Sequence, residues 1–263
     1  MNKPTFSIVI PVFNNLELFR RALESVLQQQ GVAFEIIVTD DSTTAAIADY
    51  VNGLAVSGLP ADIYLRYCHH QSDSGAIANW NNGLQMATGQ YIILMHHDEA
   101  MSGTDYLQRI ERHLNGGADI VVSNIEVIVD GHQKKSHFTT PLKRFALCHP
   151  SLLFLANAIG PCACIAFRST LKEPFCEELH WLVDVEWYYR LLKGRRVCYD
   201  PQLTICSIHG HEGQITQELD IPQTFAHDKA IVLGKYPHHT AIKTMLWTYQ
   251  HLILNTKKML GRI

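Results

Sequence analysis

Several features are scarce in this chain. None of its seven cysteines (Cys68, Cys148, Cys162, Cys164, Cys176, Cys198, Cys206) forms a C-x-x-C pair, so reduced thiols in a cytosolic setting are expected. A basic excess is also missing: 22 Lys+Arg stand against 25 Asp+Glu, a formal charge of −3, and no nucleic-acid partner is expected. Residues 1–5 lead into a strand-like run without the apolar stretch and cleavage site of a secretory signal. The longest uncharged segment, residues 150–167, is interrupted by Asn157, Gly160 and Pro161, which predicts a buried helix followed by a strand rather than a membrane span. There is no internal repeat and no low-complexity tract. The G-x-G-x-x-G turn that seats a dinucleotide is absent after the first strand, which argues against a nicotinamide or flavin enzyme. The histidine pairs lack H-E-x-x-H spacing, which argues against a zinc hydrolase.

What is present is an apolar run, Tyr91-Ile92-Ile93-Leu94-Met95, that ends in His96-His97-Asp98-Glu99. A buried strand would thus deliver an imidazole and carboxylate cluster to one edge of a sheet, where open α/β sheets place their ligands. Desolvating such a cluster is costly, and a divalent cation would offset the cost. The length of 263 residues suits one large domain or two modest lobes.

The first hundred or so residues alternate strand and helix signals. Strands are expected at 6–12, 34–39, 63–68 and 91–95, with helices at 16–29, capped by Asn14 or Asn15 and stopped by Gly31, and at 45–56 and 74–87. This alternation implies a mostly parallel sheet with helices on both faces. A helix near 105–114 and a strand at 119–123 follow, and the pattern then loosens into a β-rich stretch with a helical segment at 182–192 and strands at 197–199 and 203–208. The last forty or so residues read as helical. There Ile242, Leu246, Tyr249, Ile253 and Leu260 recur at helical spacing beside Lys257, Lys258 and Arg262, as in a helix packed back on the domain or resting on a membrane surface.

Three strand ends, Pro11-Val12-Phe13-Asn14, Asp40-Asp41-Ser42-Thr43 and the segment at Asp98, converge on one sheet edge. Together with Ser7-Ile8-Val9-Ile10 before the first, Glu35-Ile36-Ile37-Val38-Thr39 before the second and the run Asn81-Asn82-Gly83-Leu84-Gln85-Met86-Ala87-Thr88-Gly89-Gln90-Tyr91-Ile92, they resemble the family 2 glycosyltransferases of the GT-A fold. The likeness spans roughly residues 5–216. It implies an α/β fold: a Rossmann-like, mostly parallel sheet with helices on both faces, a smaller β-containing acceptor lobe and C-terminal helices. The corresponding divisions are 1–218 for the catalytic domain (1–123 nucleotide-binding, 124–218 acceptor) and 219–263 for a helical extension.

By that resemblance, Pro11, Phe13, one or both of Asp40 and Asp41, Asn81, His96 and Asp98 bind the nucleotide. A carboxylate at Asp41 can accept the uracil imide or a ribose hydroxyl, while its ordinary alternative is a helix cap. The family's Asp-X-Asp falls on His96-His97-Asp98, so Asp98 takes the metal-bridging place and His96 replaces the first aspartate. The implied cofactor is Mn²⁺ or Mg²⁺, and an imidazole suits Mn²⁺ better; the alternative for His96 is a hydrogen bond to the sugar or ribose alone. Trp80 stands where many relatives carry arginine. Asp184 holds the place of the catalytic base, although Val183 precedes it where many members have Glu; a plain helix-start acid is the alternative. Glu186 and Arg190, four apart, read as an ordinary surface ion pair. In the loop at residues 209–216, His211 fits the place of a diphosphate or metal contact better than His209, with plain exposed loop histidines as the alternative for both.

The expected reaction is inverting transfer from a nucleotide-diphospho-sugar, UDP-linked by preference, to a glycan or lipid-linked acceptor in surface polysaccharide or lipopolysaccharide synthesis. The setting would be cytoplasmic, with the C-terminal helix as the one candidate for peripheral contact with the inner face of the membrane. A non-catalytic nucleotide-sugar binder is the rival, since both His96 and Trp80 depart from the pattern.

Overall fold

The computed structural model describes residues 3–60, 62–69, 75–129, 132–134, 138–211, 213–214 and 219–254. They fall into two compact units, one drawn from 1–136, 159–174 and 196–209 and the other from 137–158, 175–195 and 210–263.

The first unit holds the sheet. Strands β1 (Phe6–Val12), β2 (Phe34–Asp40), β3 (Ile63–His69) and β4 (Tyr91–Leu94) run parallel in the order β3-β2-β1-β4. Helices α1 (Leu16–Leu27), α2 (Ala46–Ser57) and α3 (Gly75–Met86) connect them. β1, β2 and β4 are buried along their whole length, as continuous apolar runs demand, whereas β3 alternates half-buried and exposed positions as an edge strand should. Because β2 and β4 flank β1 on opposite sides, strand order reverses between β1 and β4, and open α/β sheets bind ligands outside the carboxyl ends of the strands at such a point.

The sheet continues through β8 (Ile165–Arg168), β6 (Ile120–Val129), β9 (Val197–His209) and β5 (Glu99–Met101), while β7 (His132–Lys134) pairs with β6. β8 is antiparallel to both neighbours and β6 is parallel to β9, so this half is mixed. The β-rich stretch after residue 124 therefore extends the first sheet. The two short strands expected at 197–208 form one strand, with a register irregularity opposite Ser123 and Asn124 that lets it pass Pro201. Helix α4 (Tyr106–Asn115) buries Tyr106, Leu107, Ile110 and Leu114, the i, i+1, i+4, i+8 stripe of an amphipathic helix.

Helix α1 likewise buries Phe19, Ala22, Leu23 and Val26, and Asn15 caps it by accepting the Leu18 N–H. Asn14 sits at φ 52, and its Oδ1 accepts both the Thr43 N–H and the Thr43 hydroxyl, stitching the exit of β1 to that of β2. The helix stops at Leu27, before Gly31, which adopts φ 73 in the following turn.

The Gly83 and Gly89 positions have a steric reason. A Cβ at Gly83 would lie 2.4 Å from Val9 Cγ1, and one at Gly89 would lie 2.6 Å from the Ser7 backbone nitrogen. Only glycine lets α3 and the turn before β4 approach β1 this closely. Glu35 closes the same corner: one carboxylate oxygen accepts from the Ser7 hydroxyl at 2.6 Å and from the Thr88 N–H and hydroxyl at 2.7 Å each.

The second unit is helical, with α5 (Thr140–Cys148), α6 (Val183–Leu192), α7 (Ile221–Lys235) and α8 (Thr240–Thr248), the last continued by the π-helical turn Tyr249–Leu254. A 3₁₀ turn, Pro150–Phe154, packs against both α6 and α8 and buries Leu153 and Phe154. The helix expected within 150–167 does not form. That segment makes the 3₁₀ turns Pro150–Phe154 and Cys162–Cys164 and then β8, because Gly160 at φ 107 and Pro161 break any helix between them. Ile242, Leu246 and Leu254 pack inward, while Trp247 and Leu252 are exposed. Leu260, Lys257, Lys258 and Arg262 lie outside the described residues. No helix among the described residues is long and apolar enough to cross a membrane.

Candidate active site

The site is built at the carboxyl edge of the parallel strands. β1 and β2 remain in register to Val12 and Asp40, and the Asp41 N–H extends the ladder by donating to the Val12 carbonyl at 3.0 Å. β1 and β4 part earlier, at Val9 and Leu94, with a last bond from the Met95 N–H to the Val9 carbonyl. Pro11 has the same parity as Val9, so its missing N–H faces β4; with nothing to donate there, the ladder ends and residues 95–98 turn away. Phe13, just beyond, is 45% exposed and offers an aromatic face at the edge.

Asp40 and Asp41 are both buried. Asp40 is engaged internally: Oδ1 accepts the Ser42 N–H at 2.9 Å and Oδ2 accepts the Tyr67 hydroxyl at 2.6 Å. Burial and the neighbouring Asp40 carboxylate push the Tyr67 phenol well above its ordinary range, so it remains a donor. Asp40 is thus held in place at the end of β2. On α3, Asn79 ties the helix to β2, its Nδ2 donating to the Thr39 carbonyl at 3.0 Å, and Asn81 is half-buried two residues on.

His96, Asp98 and Glu99 follow β4 and form the one group of potential metal ligands among the described residues, each offering an atom within 4.8 Å of the others. Glu99, at 2% exposure, grips His96 twice: Oε2 accepts the His96 backbone N–H at 2.8 Å, and Oε1 lies 3.3 Å from Nδ1. In the tautomer that carries its proton on Nδ1, toward that carboxylate, the lone pair falls on Nε2, the arrangement that prepares a histidine for a metal or an acceptor role. Burial pushes the Glu99 carboxyl up from 4.5 to about 6, against the pull of His96. Trp80 on α3 packs on the imidazole, the ring centroids 4.6 Å apart. β9 borders the cluster, since the Ile208 N–H donates to the Asp98 carbonyl at 2.9 Å and Ser207 pairs with Glu99. One imidazole nitrogen and two carboxylates form a donor set that fits Mn²⁺ or Mg²⁺.

Pro11, Phe13, Asp40, Asp41, Asn81, His96 and Asp98 all belong to the first unit, and Asp184 and His211 to the second. Asp184 is half-buried in the first turn of α6. The loop leading into that turn is held by Asp228 of α7, which is fully buried and whose Oδ2 accepts three consecutive backbone N–H groups, from His180 at 3.0 Å, Trp181 at 2.7 Å and Leu182 at 2.8 Å. Glu186 forms the expected pair with Arg190, at 3.0 Å, but it is fully buried rather than on the surface. Lys235 at 2.8 Å and the Tyr236 hydroxyl at 2.7 Å share its Oε1. Burial opposes its ionisation, yet these partners hold its carboxyl below the ordinary range.

Glu99 is visible in the sequence as the end of the His96–Glu99 cluster, but its clasp on His96 is not; nothing in the pattern marks Tyr67 or Asp228.

A family model described as glycosyl transferase family 2 matches residues 7–176. The Campylobacter jejuni protein named GalNAc(5)-diNAcBac-PP-undecaprenol beta-1,3-glucosyltransferase is 29% identical over 179 residues, 67% of this chain and 56% of its own length. Three curated relatives are matched over 65%, 39% and 56% of their length, so the chain spans less than two thirds of each. Among solved structures, S. aureus TarS residues 1–349 in complex with UDP-GlcNAc aligns with TM-score 0.70 and 16% identity over 97% of this chain and 75% of its own. The mannosyltransferase PcManGT from Pyrobaculum calidifontis, in complex with GDP-Man and Mn²⁺, aligns with TM-score 0.71 and 16% identity over 99% of this chain and 73% of its own. At that identity the two structures establish the fold, a GT-A type α/β sheet.

Proposed function

Since the chain belongs to glycosyl transferase family 2, we propose that it is an inverting glycosyltransferase that moves a sugar from a nucleoside diphosphate, UDP by preference, to a glycan or lipid-linked acceptor in cell-surface polysaccharide or lipopolysaccharide synthesis. One observation carries the reading: Asp40, Asp41, His96, Asp98 and Glu99 gather at the carboxyl edge of a parallel sheet where strand order reverses. The UDP-GlcNAc bound to TarS and the GDP-Man with Mn²⁺ bound to PcManGT support a nucleotide sugar at this edge. The undecaprenol-diphosphate substrate in the Campylobacter relative's name supports a lipid-linked acceptor.

In this account residues 1–123 bind the nucleotide and 124–218 serve the acceptor, while α7 and α8 belong to a C-terminal extension that begins at residue 219. Pro11, Phe13, Asp41 and Asn81 line the nucleoside site, with Asp40 fixing the strand end beneath it. Asp98, His96 and Glu99 would hold Mn²⁺ or Mg²⁺, which when bound supplies Lewis-acid neutralisation of the diphosphate, worth several kcal/mol. Asp184 takes the proton from the acceptor hydroxyl as its oxygen attacks the anomeric carbon from the face opposite the diphosphate; the new C–O bond forms as the bond to the diphosphate breaks. The exposed Trp247 and Leu252 support peripheral contact of the C-terminal helix with the inner face of the membrane.

Thermal-shift and donor-turnover assays over UDP-, GDP- and dTDP-sugars, with and without Mn²⁺, test the proposal. Metal-dependent stabilisation together with turnover that Asp184→Asn abolishes supports it. Binding without turnover of any donor or acceptor would instead fit the nucleotide-sugar binder to which His96 and Trp80 point.

A further inference from the structure

Within the first unit, outside the residues assigned above, a sulfur, an imidazole and a carboxylate stand in sequence. Cys198 Sγ, near the start of β9, lies 3.4 Å from His113 Nδ1 on α4. The His113 Nε2 lies 3.0 Å from Asp200 Oδ2, and Arg109 Nη2 reaches the same oxygen at 2.9 Å. Asp200 is anchored further, its Oδ1 accepting the Gln202 N–H at 2.9 Å. Burial opposes its ionisation, but His113, the Gln202 N–H and Arg109 hold its carboxyl below the ordinary range.

This order of groups activates a thiol. An ionised carboxylate on Nε2–H fixes the imidazole's orientation, so that the other ring nitrogen faces the thiol, takes its proton and stabilises the thiolate. The remaining cysteines provide internal references. Cys148 is exposed on α5, whereas Cys162 and Cys164 are each 1% exposed in the 3₁₀ turn before β8. Cys198 and His113 are only half-buried, so solvent and a small reagent can approach the pair.

We propose that Cys198 is a histidine-activated thiol and a modification site at which this protein exchanges with small-molecule disulfides. In that exchange the Cys198 thiol proton passes to His113, and the thiolate attacks one sulfur of the disulfide. A new S–S bond joins Cys198 to that half, the original S–S bond breaks, and the other half leaves as a thiolate. The adduct displaces the imidazole from Sγ on β9, the strand whose Ser207 pairs with Glu99 in the candidate active site.

Peptide-resolved mass spectrometry on the full chain tests this, with iodoacetamide at pH 7 to measure alkylation rates and glutathione disulfide to probe exchange. Cys198 is expected to alkylate roughly tenfold faster than the more exposed Cys148, because an adjacent imidazole stabilises its thiolate. It should also be the first cysteine to take up glutathione. Cys198 reacting no faster than Cys148 overturns the proposal. In His113→Gln the rate should fall to that of Cys148 or below while Cys162 and Cys164 remain protected; an unchanged rate in a folded variant overturns it equally. Should Cys162 and Cys164 become reactive, the variant has unfolded, and the wild-type comparison decides alone.

Discussion

Glu99 holds His96 by two contacts on the same residue, accepting the backbone N–H at 2.8 Å and lying 3.3 Å from Nδ1 of the ring. The first expected outcome concerns that clasp. Glu99→Ala removes the acceptor of a part-buried N–H and frees the imidazole to rotate, so it should cost about 1–3 kcal/mol in urea unfolding. It should also weaken Mn²⁺ binding, followed by the free-ion EPR signal, by about 10–100-fold. Loss of stability with metal affinity intact would make Glu99 a purely structural residue.

A second prediction concerns the loop before α6. Asp228→Asn replaces a carboxylate that accepts three N–H groups with an amide that has one acceptor oxygen and an added donor. A small displacement of Asp184 should lower kcat on the order of ten- to a hundredfold, with the donor KM close to wild type. An equal rise in KM with unchanged kcat would show that Asp228 does not act through Asp184, the proposed base.

Glycine positions supply a third. Gly89→Ala drives a Cβ into the Ser7 backbone at 2.6 Å, contact with main chain that cannot swing aside, and should destabilise by about 1–3 kcal/mol or more. Gly53→Ala, in α2 with nothing within 4 Å of its Cβ, should be neutral or stabilising by about 0.4–1 kcal/mol. Similar unfolding midpoints for the two variants would contradict the packing described here.

The fourth concerns acid. Burial raises the Glu35 carboxyl, but the Ser7 hydroxyl, the Thr88 N–H and hydroxyl and Arg66 together hold it below its ordinary 4.5. Near that pH the unfolded chain binds more protons than the folded one, so this contribution to stability is complete above 4.5 and is lost as the pH falls through the lower folded value. Urea midpoints measured on the acid side should fall for the wild type and fall less steeply for Glu35→Gln. Parallel profiles would remove Glu35 from the account.

Much of this was legible in residue order. Continuous apolar runs mark β1, β2 and β4, alternation marks the edge strand β3, and the polar residues that end each run mark the carboxyl edge at which the donor is proposed to bind. The pattern is silent where a residue's role depends on distant chain. Glu186 reads as a surface pair because its spacing to Arg190 is local, yet Lys235 and Tyr236, some fifty residues on, share its buried carboxylate. Asp228 shows no sign of the loop it holds, and Cys198, His113 and Asp200 meet only because β9 returns beside α4. The segment 150–167 is apolar enough for a helix, but Gly160 and Pro161 divide it into 3₁₀ turns and a strand.

The most direct test of the account is calorimetric titration of UDP, GDP and dTDP sugars into the protein with Mn²⁺ present, for the wild type and Asp98→Ala. We predict saturable uptake of at least one donor by the wild type and a loss of about 10-fold or more, roughly 1.4 kcal/mol, in the variant. Failure of the wild type to bind any donor, or equal affinity in Asp98→Ala, would contradict it.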